Sequence, residues 1–276
     1  MKIKNYLWSL ISMCGIFMTL SCADEPYDVQ PMDNLKTEIL PNGDATSGAV
    51  FSRIDEKTFW LDYVKYRIVD SHLEIIGYDN VELRKEPKLY AEVTIDGATL
   101  KTRRIGCFNG EGAFEYAKCE KIIIPETVTY IDDACFRNCT SLTSITLPEG
   151  LTGIGYGCFS DCESLASITL PEGLTKIEDR CFYGCTSLVS ITLPEDLTYI
   201  GSSCFCNCIS LTSMTLPEGI TRIEDCSFNG CMSLTSIMLP DRLLSMGEGC
   251  FCHCESLISI TLPEDLKEIG YGCFSG

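Results

Sequence analysis

The sequence predicts an α/β repeat solenoid of 23-residue units behind a β-rich N-terminal cap. Each unit reads as a short strand, a turn, a second short strand and a helical turn. Three observations predict this fold. Prolines fall at 125, 148, 171, 194, 217, 240 and 263, each 23 apart. Around each runs a variant of SLTSITLPEGLTxIGxxCFxxC, and self-similarity at a fixed period marks stacked units rather than one closed core. Ahead of the repeats, residues 55–104 alternate apolar and polar as strands do, with turn residues between the runs.

In chain order, residues 1–22 read as a targeting segment. Lys2 and Lys4 supply a positive start, and residues 7–20 are mostly apolar but too short for a comfortable membrane span. Thr19-Leu20-Ser21-Cys22 looks like a bacterial lipobox, with Thr where an aliphatic residue is usual. That motif implies acylation of Cys22, which would become the mature N-terminus; the alternative is an ordinary secretory signal with a chance cysteine. The early acids Asp24 and Glu25 resemble the export signal of surface lipoproteins in some Gram-negative anaerobes. Residues 23–54 hold Pro26, Pro31, Pro41 and a Gly-Asp-Ala-Thr-Ser-Gly run, and read as a flexible tether. Residues 63–69, 72–76 and 89–95 are candidate strands of a cap spanning 55–104. A solenoid needs one, because its first unit would otherwise expose a core face and unpaired strand edges.

Residues 105–276 are read as the solenoid. Its first stretch, 105–124, is degenerate: Gly112-Ala113-Phe114 stands where later units have x-Cys-Phe, and one residue is missing before Ile122-Ile123-Ile124-Pro125. In the regular unit around Pro148, Leu142, Ile145 and Leu147 form the strand of a leucine-rich repeat. Pro148-Glu149-Gly150 ends it, since proline donates no ladder hydrogen bond and glycine permits a tight turn. Leu151 and Ile154 anchor the second strand. A helical turn over 157–162 is expected to turn Cys158, Phe159 and Cys162 inward. Cys226 and Cys231 depart from the register, with Ser227 in the ladder position, which predicts a locally irregular unit. The chain stops at Cys273-Phe274-Ser275-Gly276, in mid-repeat, which implies a fraying last unit or a fragment of a longer protein.

The I-T-L-P-E-G-L-T-x-I-G-x-x-C-F-x-x-C-x-S-L pattern is similar to the BspA-like leucine-rich repeat family, whose usual unit has Ala-Phe in place of Cys-Phe. The segment from Lys65-Tyr66-Arg67-Ile68 to Ile75-Ile76-Gly77-Tyr78 resembles that family's entry segment. The resemblance implies a cell-surface protein that adheres to host matrix proteins or to other cells. It carries no catalytic residues and no cofactor.

Nineteen cysteines in an exported chain would ordinarily suggest disulfides. Here Cys135/Cys139, Cys158/Cys162, Cys181/Cys185, Cys204/Cys208 and Cys250/Cys254 recur at fixed repeat positions and read first as small buried core residues. Disulfides between neighbouring rungs are the second reading, and zinc held by Cys204-Phe205-Cys206-Asn207-Cys208 or Cys250-Phe251-Cys252-His253-Cys254 the third. The third is disfavoured because residues two apart on a helical turn face away from each other. No metal site is expected, and no enzyme. His72 has no sequence partner, and His253 beside Cys252 and Cys254 lacks an orienting acid. The paired acids Asp132-Asp133, Glu178-Asp179 and Glu224-Asp225 read as a charged edge, and no phosphate loop, Gly-x-Ser-x-Gly or HExxH motif occurs.

The remaining signal is a surface. Between the inward residues of the first strands lie Ser144/Thr146, Ser167/Thr169, Ser190/Thr192, Ser213/Thr215, Ser236/Met238 and Ser259/Thr261. At about 4.8 Å per rung this makes a strip of hydroxyls roughly 25 Å long. It reads as a ligand-binding strand face, although threonine also simply favours strands. Tyr130, Tyr156, Tyr183, Tyr199 and Tyr271 are expected on loops or turns, away from the strip. From residue 122 onward, 6 Lys and Arg against 20 Asp and Glu leave −14, most of the chain's −18. Such a surface argues against nucleic acid or anionic lipid as partners. The expected partner is a protein, with a glycan or nutrient as the competing class, and membrane contact only through the lipid anchor.

Overall fold

The computed structural model describes residues 51–55, 57–79, 86–95 and 98–276. Cys22, the targeting segment and nearly all of the tether lie outside them. Phe51–Arg53 (β1), at the end of the stretch that reads as tether, is already a strand and pairs antiparallel with Thr58–Leu61 (β2). Val64–Val69 (β3) and His72–Tyr78 (β4) continue the antiparallel order. Glu92–Ile95 (β5) pairs antiparallel with Ala98–Ile105 (β6), which lies parallel to β4. Period-two alternation buries Phe59, Leu61, Val64, Tyr66, Leu73 and Ile75. Tyr66 stacks on Phe59 at 5.5 Å, and its buried hydroxyl accepts the Tyr90 N–H at 3.0 Å.

The same sheet runs straight into the repeats, because β6 pairs in parallel with Tyr130–Ile131. From there each unit is one rung, which we name by its proline. A rung has three faces. The first carries Lys121–Ile123, Ser144–Thr146, Ser167–Thr169, Ser190–Thr192, Ser213–Thr215 and Ser236–Met238. The second carries Tyr130–Ile131, Gly153–Ile154, Lys176–Ile177, Tyr199–Ile200, Arg222–Ile223, Ser245–Met246 and Glu268–Ile269. The third is the Cys-Phe turn. Between them run Leu142, Ile145, Leu151, Ile154, Cys158, Phe159, Cys162 and Leu165, all buried, and most of their equivalents are buried too; Ile191 and the last rung's Leu257, Ile260 and Leu266 are only partly so.

The turn face is not helical, and no helix occurs among the described residues. The solenoid is therefore all-β rather than α/β. The reason lies in the backbone. In a helix every N–H points along the helix's own axis. Here Gly157 and Asp161 take φ of +56° and +58°, and the equivalent positions repeat this from Ala134 and Asn138 to Gly249 and His253. Such left-handed residues redirect alternate peptide groups. Gly157, Phe159 and Asp161 donate to the carbonyls of Asp179, Cys181 and Tyr183 in the next rung at 3.0, 2.9 and 2.7 Å. Ser160 and Cys162 donate back within the turn at 3.1 and 3.2 Å. The turn thus hydrogen-bonds along the solenoid, as a strand would.

This bonding continues without interruption from the Phe114 stretch to the last rung. So does the aromatic column through it. Phe114, Phe136, Phe159, Phe182, Phe205, Phe228, Phe251 and Phe274 stack at centroid separations of 5.2–5.6 Å with ring planes within 3–13°. Tyr78 of β4 joins the column at 5.3 Å from Phe114. The degenerate stretch therefore works as a rung, with Ala113 and Phe114 buried in the Cys-Phe positions.

The two strand faces behave differently: they pair rung by rung in twos. On the first face Lys121–Ile123 pairs with Ser144–Thr146, Ser167–Thr169 with Ser190–Thr192, and Ser213–Thr215 with Ser236–Met238. On the second face Tyr130–Ile131 pairs with Gly153–Ile154, Lys176–Ile177 with Tyr199–Ile200, and Arg222–Ile223 with Ser245–Met246, which also pairs with Glu268–Ile269. Between the Pro148 and Pro171 rungs, and again between the Pro194 and Pro217 rungs, neither face has a strand pair among the described residues.

The sequence explains the alternation. Rungs with an acidic pair alternate with rungs that have glycine there: Asp132-Asp133, then Gly155; Glu178-Asp179, then Gly201; Glu224-Asp225, then Gly247. The second acid of each pair, read from sequence as a solvent-facing edge, instead holds the next rung. Asp133, Asp179 and Asp225 Oδ1 accept the N–H groups of Tyr156, Ser202 and Glu248 at 2.8, 2.9 and 2.9 Å. A Cβ on Gly201 would overlap the backbone N and Oδ1 of Asp179, so only glycine allows this approach. Where the next rung brings Glu178 or Glu224 to that position, the side chain takes up the space and the rungs stand apart.

Candidate functional site: the hydroxyl strip and its junctions

The predicted strip is present as an outward column. Ser144, Thr146, Ser167, Thr169, Ser190, Thr192, Ser213, Thr215 and Ser236 are exposed on first-face strands, with Ile145, Ile168, Met214 and Ile237 buried between them. Ser259 and Thr261 are exposed too, but the last rung forms no first-face strand. Met238 is 67 % exposed and ends the hydroxyl column. At the other end stand Lys121 and Ile123, the latter 58 % exposed. The strip is therefore segmented in two ways, by apolar ends and by the two unpaired junctions.

Each junction opens a groove. Between the Pro148 and Pro171 rungs it has a volume of about 330 Å³. Between the Pro194 and Pro217 rungs it has about 720 Å³ and is lined by Ser190–Thr192, Leu193, Glu195, Asp196, Ser213–Thr215, Leu216, Pro217 and Glu218. Here Thr212 N–H still reaches Val189 O at 3.3 Å at the start of the strands. The groove therefore widens toward the proline turn.

The cysteines form two inward ladders. In the second, Cys139, Cys162, Cys185, Cys208, Cys231 and Cys254 each donate Sγ–H to the carbonyl of Phe114, Phe136, Phe159, Phe182, Phe205 and Phe228 at 2.9–3.2 Å. A residue there must be small and apolar, as buried Ala117 is in the first rung, and cysteine adds one weak hydrogen bond. Burial pushes the thiols of Cys158, Cys162, Cys181, Cys185, Cys204, Cys208 and Cys231 above their ordinary range. The expected irregularity at Cys226 and Cys231 is corrected. Ser227 keeps the first ladder, buried, its Oγ donating to Glu224 O at 2.7 Å. Cys231 keeps the second, and Cys226 is the left-handed turn residue, at φ +56°.

The other candidate chemistry does not assemble. Cys206 and Cys252 are half-buried while Cys204, Cys208, Cys250 and Cys254 point into the core, so each CFC run splits between two sides. Among the described residues no group of three His, Cys, Asp or Glu is placed to hold a metal. His72 Nε2 lies 3.9 Å from Glu74 Oε1, and exposed His253 is a turn residue whose N–H donates to Ser275 O at 2.7 Å. Of the tyrosines expected on loops, Tyr130 and Tyr199 instead lie on second-face strands, each a little over one-third exposed.

Stacked strands, a proline-ended first face and a Cys-Phe core define a leucine-rich repeat solenoid. Comparison with known proteins narrows this. The model of the BspA type leucine rich repeat region matches six copies over residues 109–231 and 175–276. The chain belongs to the BspA-type leucine-rich repeat family. It is similar to the crystal structure of the leucine-rich repeat protein TpLRR of T. pallidum, with 30 % identity, 71 % of this chain and 88 % of that one covered, and a TM-score of 0.63. A leucine-rich cell surface protein of Faecalibacterium prausnitzii matches at 21 % identity over 80 % of this chain and 86 % of that one, TM-score 0.42. A leucine-rich repeat protein from Bacteroides capillosus matches at 22 % identity over 53 % and 99 %, TM-score 0.38. No curated protein matches the chain.

Proposed function

We propose that this chain is a cell-surface protein that binds other proteins through its hydroxyl strip, in the manner of an adhesin for host matrix proteins or other cells. One observation carries the reading: the strip is a broad, uncharged, regular surface that recurs across the rungs with its side chains exposed. Hydroxyls pair with a partner's polar groups at less desolvation cost than charges do. Attachment to the outer membrane through acylated Cys22, with residues 23–50 as tether, belongs to the same proposal. A glycan or nutrient is the competing ligand class, but no tyrosine stands on the strip itself.

The test is binding to a panel of matrix proteins and glycans. Lys placed at both Thr169 and Thr192 should abolish binding and leave the fold intact, because both side chains point to solvent. Glu in place of Arg180 and Ser203, on the turn face, should do little. Loss of binding in the turn variant with retention in the strip variant places the ligand on the turn face and overturns the strip assignment. Binding of glycans alone ends the adhesin reading. For the anchor, Cys22→Ala should move the protein from the detergent phase to the soluble fraction, and unchanged partition sinks the claim.

A further inference from the structure

The strip is not uniform at its larger groove, and the departures point one way. Ile191, the inward residue of Ser190–Thr192, is only partly buried, whereas Ile145, Ile168, Met214 and Ile237 in the same column are buried. Pro217 is likewise half-buried, whereas Pro148, Pro171, Pro194 and Pro240 are buried. The junction between the Pro194 and Pro217 rungs therefore opens the core edge to the outside. Leu193 and Leu216 line the same opening. At its wide end stand three exposed carboxylates, Glu195, Asp196 and Glu218. Asp196 takes the place of the turn glycine found at 150, 173 and 219. No lysine or arginine lines the groove. The smaller groove, between the Pro148 and Pro171 rungs, has one carboxylate, Glu149, along its lining, and the isoleucines there are buried.

An apolar slot that ends in three carboxylates is complementary to a side chain with an aliphatic stem and a cationic head. Arginine and lysine have that form. The stem covers Ile191 and Leu193, the hydroxyls of Thr192 and Thr215 flank it, and the head reaches charge-assisted hydrogen bonds at the carboxylates. The −14 balance of the repeats draws such a partner and repels an anionic one. Resting on the protein-binding reading of the strip, we propose that the groove between the Pro194 and Pro217 rungs is its specificity pocket, and that it takes an arginine or lysine side chain from an extended segment of the protein partner.

The probe is a short extended peptide with one central arginine, compared with citrulline and glutamate versions, at up to millimolar concentration. Binding is followed by fluorescence anisotropy and by the NMR signal of the Ile191 methyl groups. The arginine peptide should bind and shift Ile191; the citrulline peptide should bind about tenfold more weakly and the glutamate peptide not at all. E195Q/D196N/E218Q should lose about tenfold in affinity for the arginine peptide, while E126Q/D241N/E264Q, with the same charge change on other rungs, stays within about twofold. Closing the junction is a second, independent arm. S202D/E224G gives it the carboxylate–glycine pair that locks the other rungs, and should remove peptide binding with all three groove carboxylates in place.

Equal losses in the two neutralised variants would show long-range screening and overturn the pocket. So would arginine-peptide binding that leaves Ile191 unmoved, or no binding by any peptide. The matrix-protein panel is run on the same variants. If the Thr169/Thr192 variant loses the panel while E195Q/D196N/E218Q keeps it, the strip reading stands and the pocket fails. If the Thr169/Thr192 variant keeps the panel, the strip reading itself fails.

Discussion

The turn face and the two strand faces are built from the same rungs, yet one is continuous and the others are both broken at two junctions two rungs apart. On the turn face, left-handed residues at two positions per rung send N–H groups to the next rung at every step, and one phenylalanine column runs through all of it. On the strand faces the pairing depends on whether the next rung offers a glycine or a glutamate beside the carboxylate column. The solenoid thus has two periods: 23 residues along its turn spine and twice that along its strands. The spine carries the fold, and the strand faces, free to open at defined places, carry the surface features that differ between rungs.

The largest expected effect tests the spine through its thiols. Burial holds Cys158, Cys181, Cys185, Cys204, Cys208 and Cys231 protonated in the folded chain well above the pH at which a free thiol ionises. Above about pH 8.5 the unfolded chain releases these protons and the folded chain keeps them. The unfolded state then binds fewer protons, so stability falls as pH rises, by about 1.4 kcal/mol per pH unit for each such thiol. Below that pH the contribution is fully present. Denaturant melts under reducing conditions should therefore collapse between about pH 8.5 and 10, and a flat profile across that window refutes buried thiols in the spine.

Next in size is the aromatic column. Phe182→Ala should cost about 3–5 kcal/mol in equilibrium unfolding, because the ring is fully buried between Phe159 and Phe205. Ile191→Ala, at an open junction, should cost less than about half of that. Comparable losses would show that the junction is as tightly packed as the spine.

Smaller again is the lock. Gly201→Ala should destabilise by about 1–3 kcal/mol, since the new methyl meets the backbone of Asp179. Glu178→Ala, at a junction without a lock, should change stability less than Gly201→Ala does, because its ion pair with Lys176 lies in solvent. If the two variants behave alike, the alternation does not come from glycine. The smallest effect is a gain. Ser203 sits at φ +55°, where Gly157 and Gly249 stand in other rungs, so Ser203→Gly should raise stability by a few tenths of a kcal/mol to about 1 kcal/mol, read as a shift in thermal midpoint.

Much of this was legible in the sequence, because core positions in a repeat announce themselves by recurrence. The inward set around Pro148, the outward Ser and Thr, and the rung-like role of Ala113 and Phe114 are all matters of register. The helical turn was misread although its signal was present. Asn138, Asp161, Gly184, Asn207, Gly230 and His253 form a column of residue types that tolerate left-handed backbone, and such a column argues against a helix. The double period was also written in the chain, in Asp133, Asp179 and Asp225 alternating with Gly155, Gly201 and Gly247. Its meaning was hidden because an acid at a turn looks like solubility until its hydrogen-bond partner one rung away is known. The alternation marks which junctions open, at the rungs of Glu178 and Glu224. The volume and lining of the grooves are not legible, because they depend on how far apart two strands stand.

The alternation of acid and glycine rungs also constrains how such a gene changes length. Gain or loss of two repeats at once preserves every lock. Gain or loss of a single repeat brings two like rungs together. Two glycine rungs still pair, as Ser245–Met246 and Glu268–Ile269 do, but without a carboxylate between them. Two acid rungs leave the second without the glycine that admits its neighbour. A step of two repeats therefore keeps every carboxylate–glycine lock and adds one open junction, with the surface groove that goes with it.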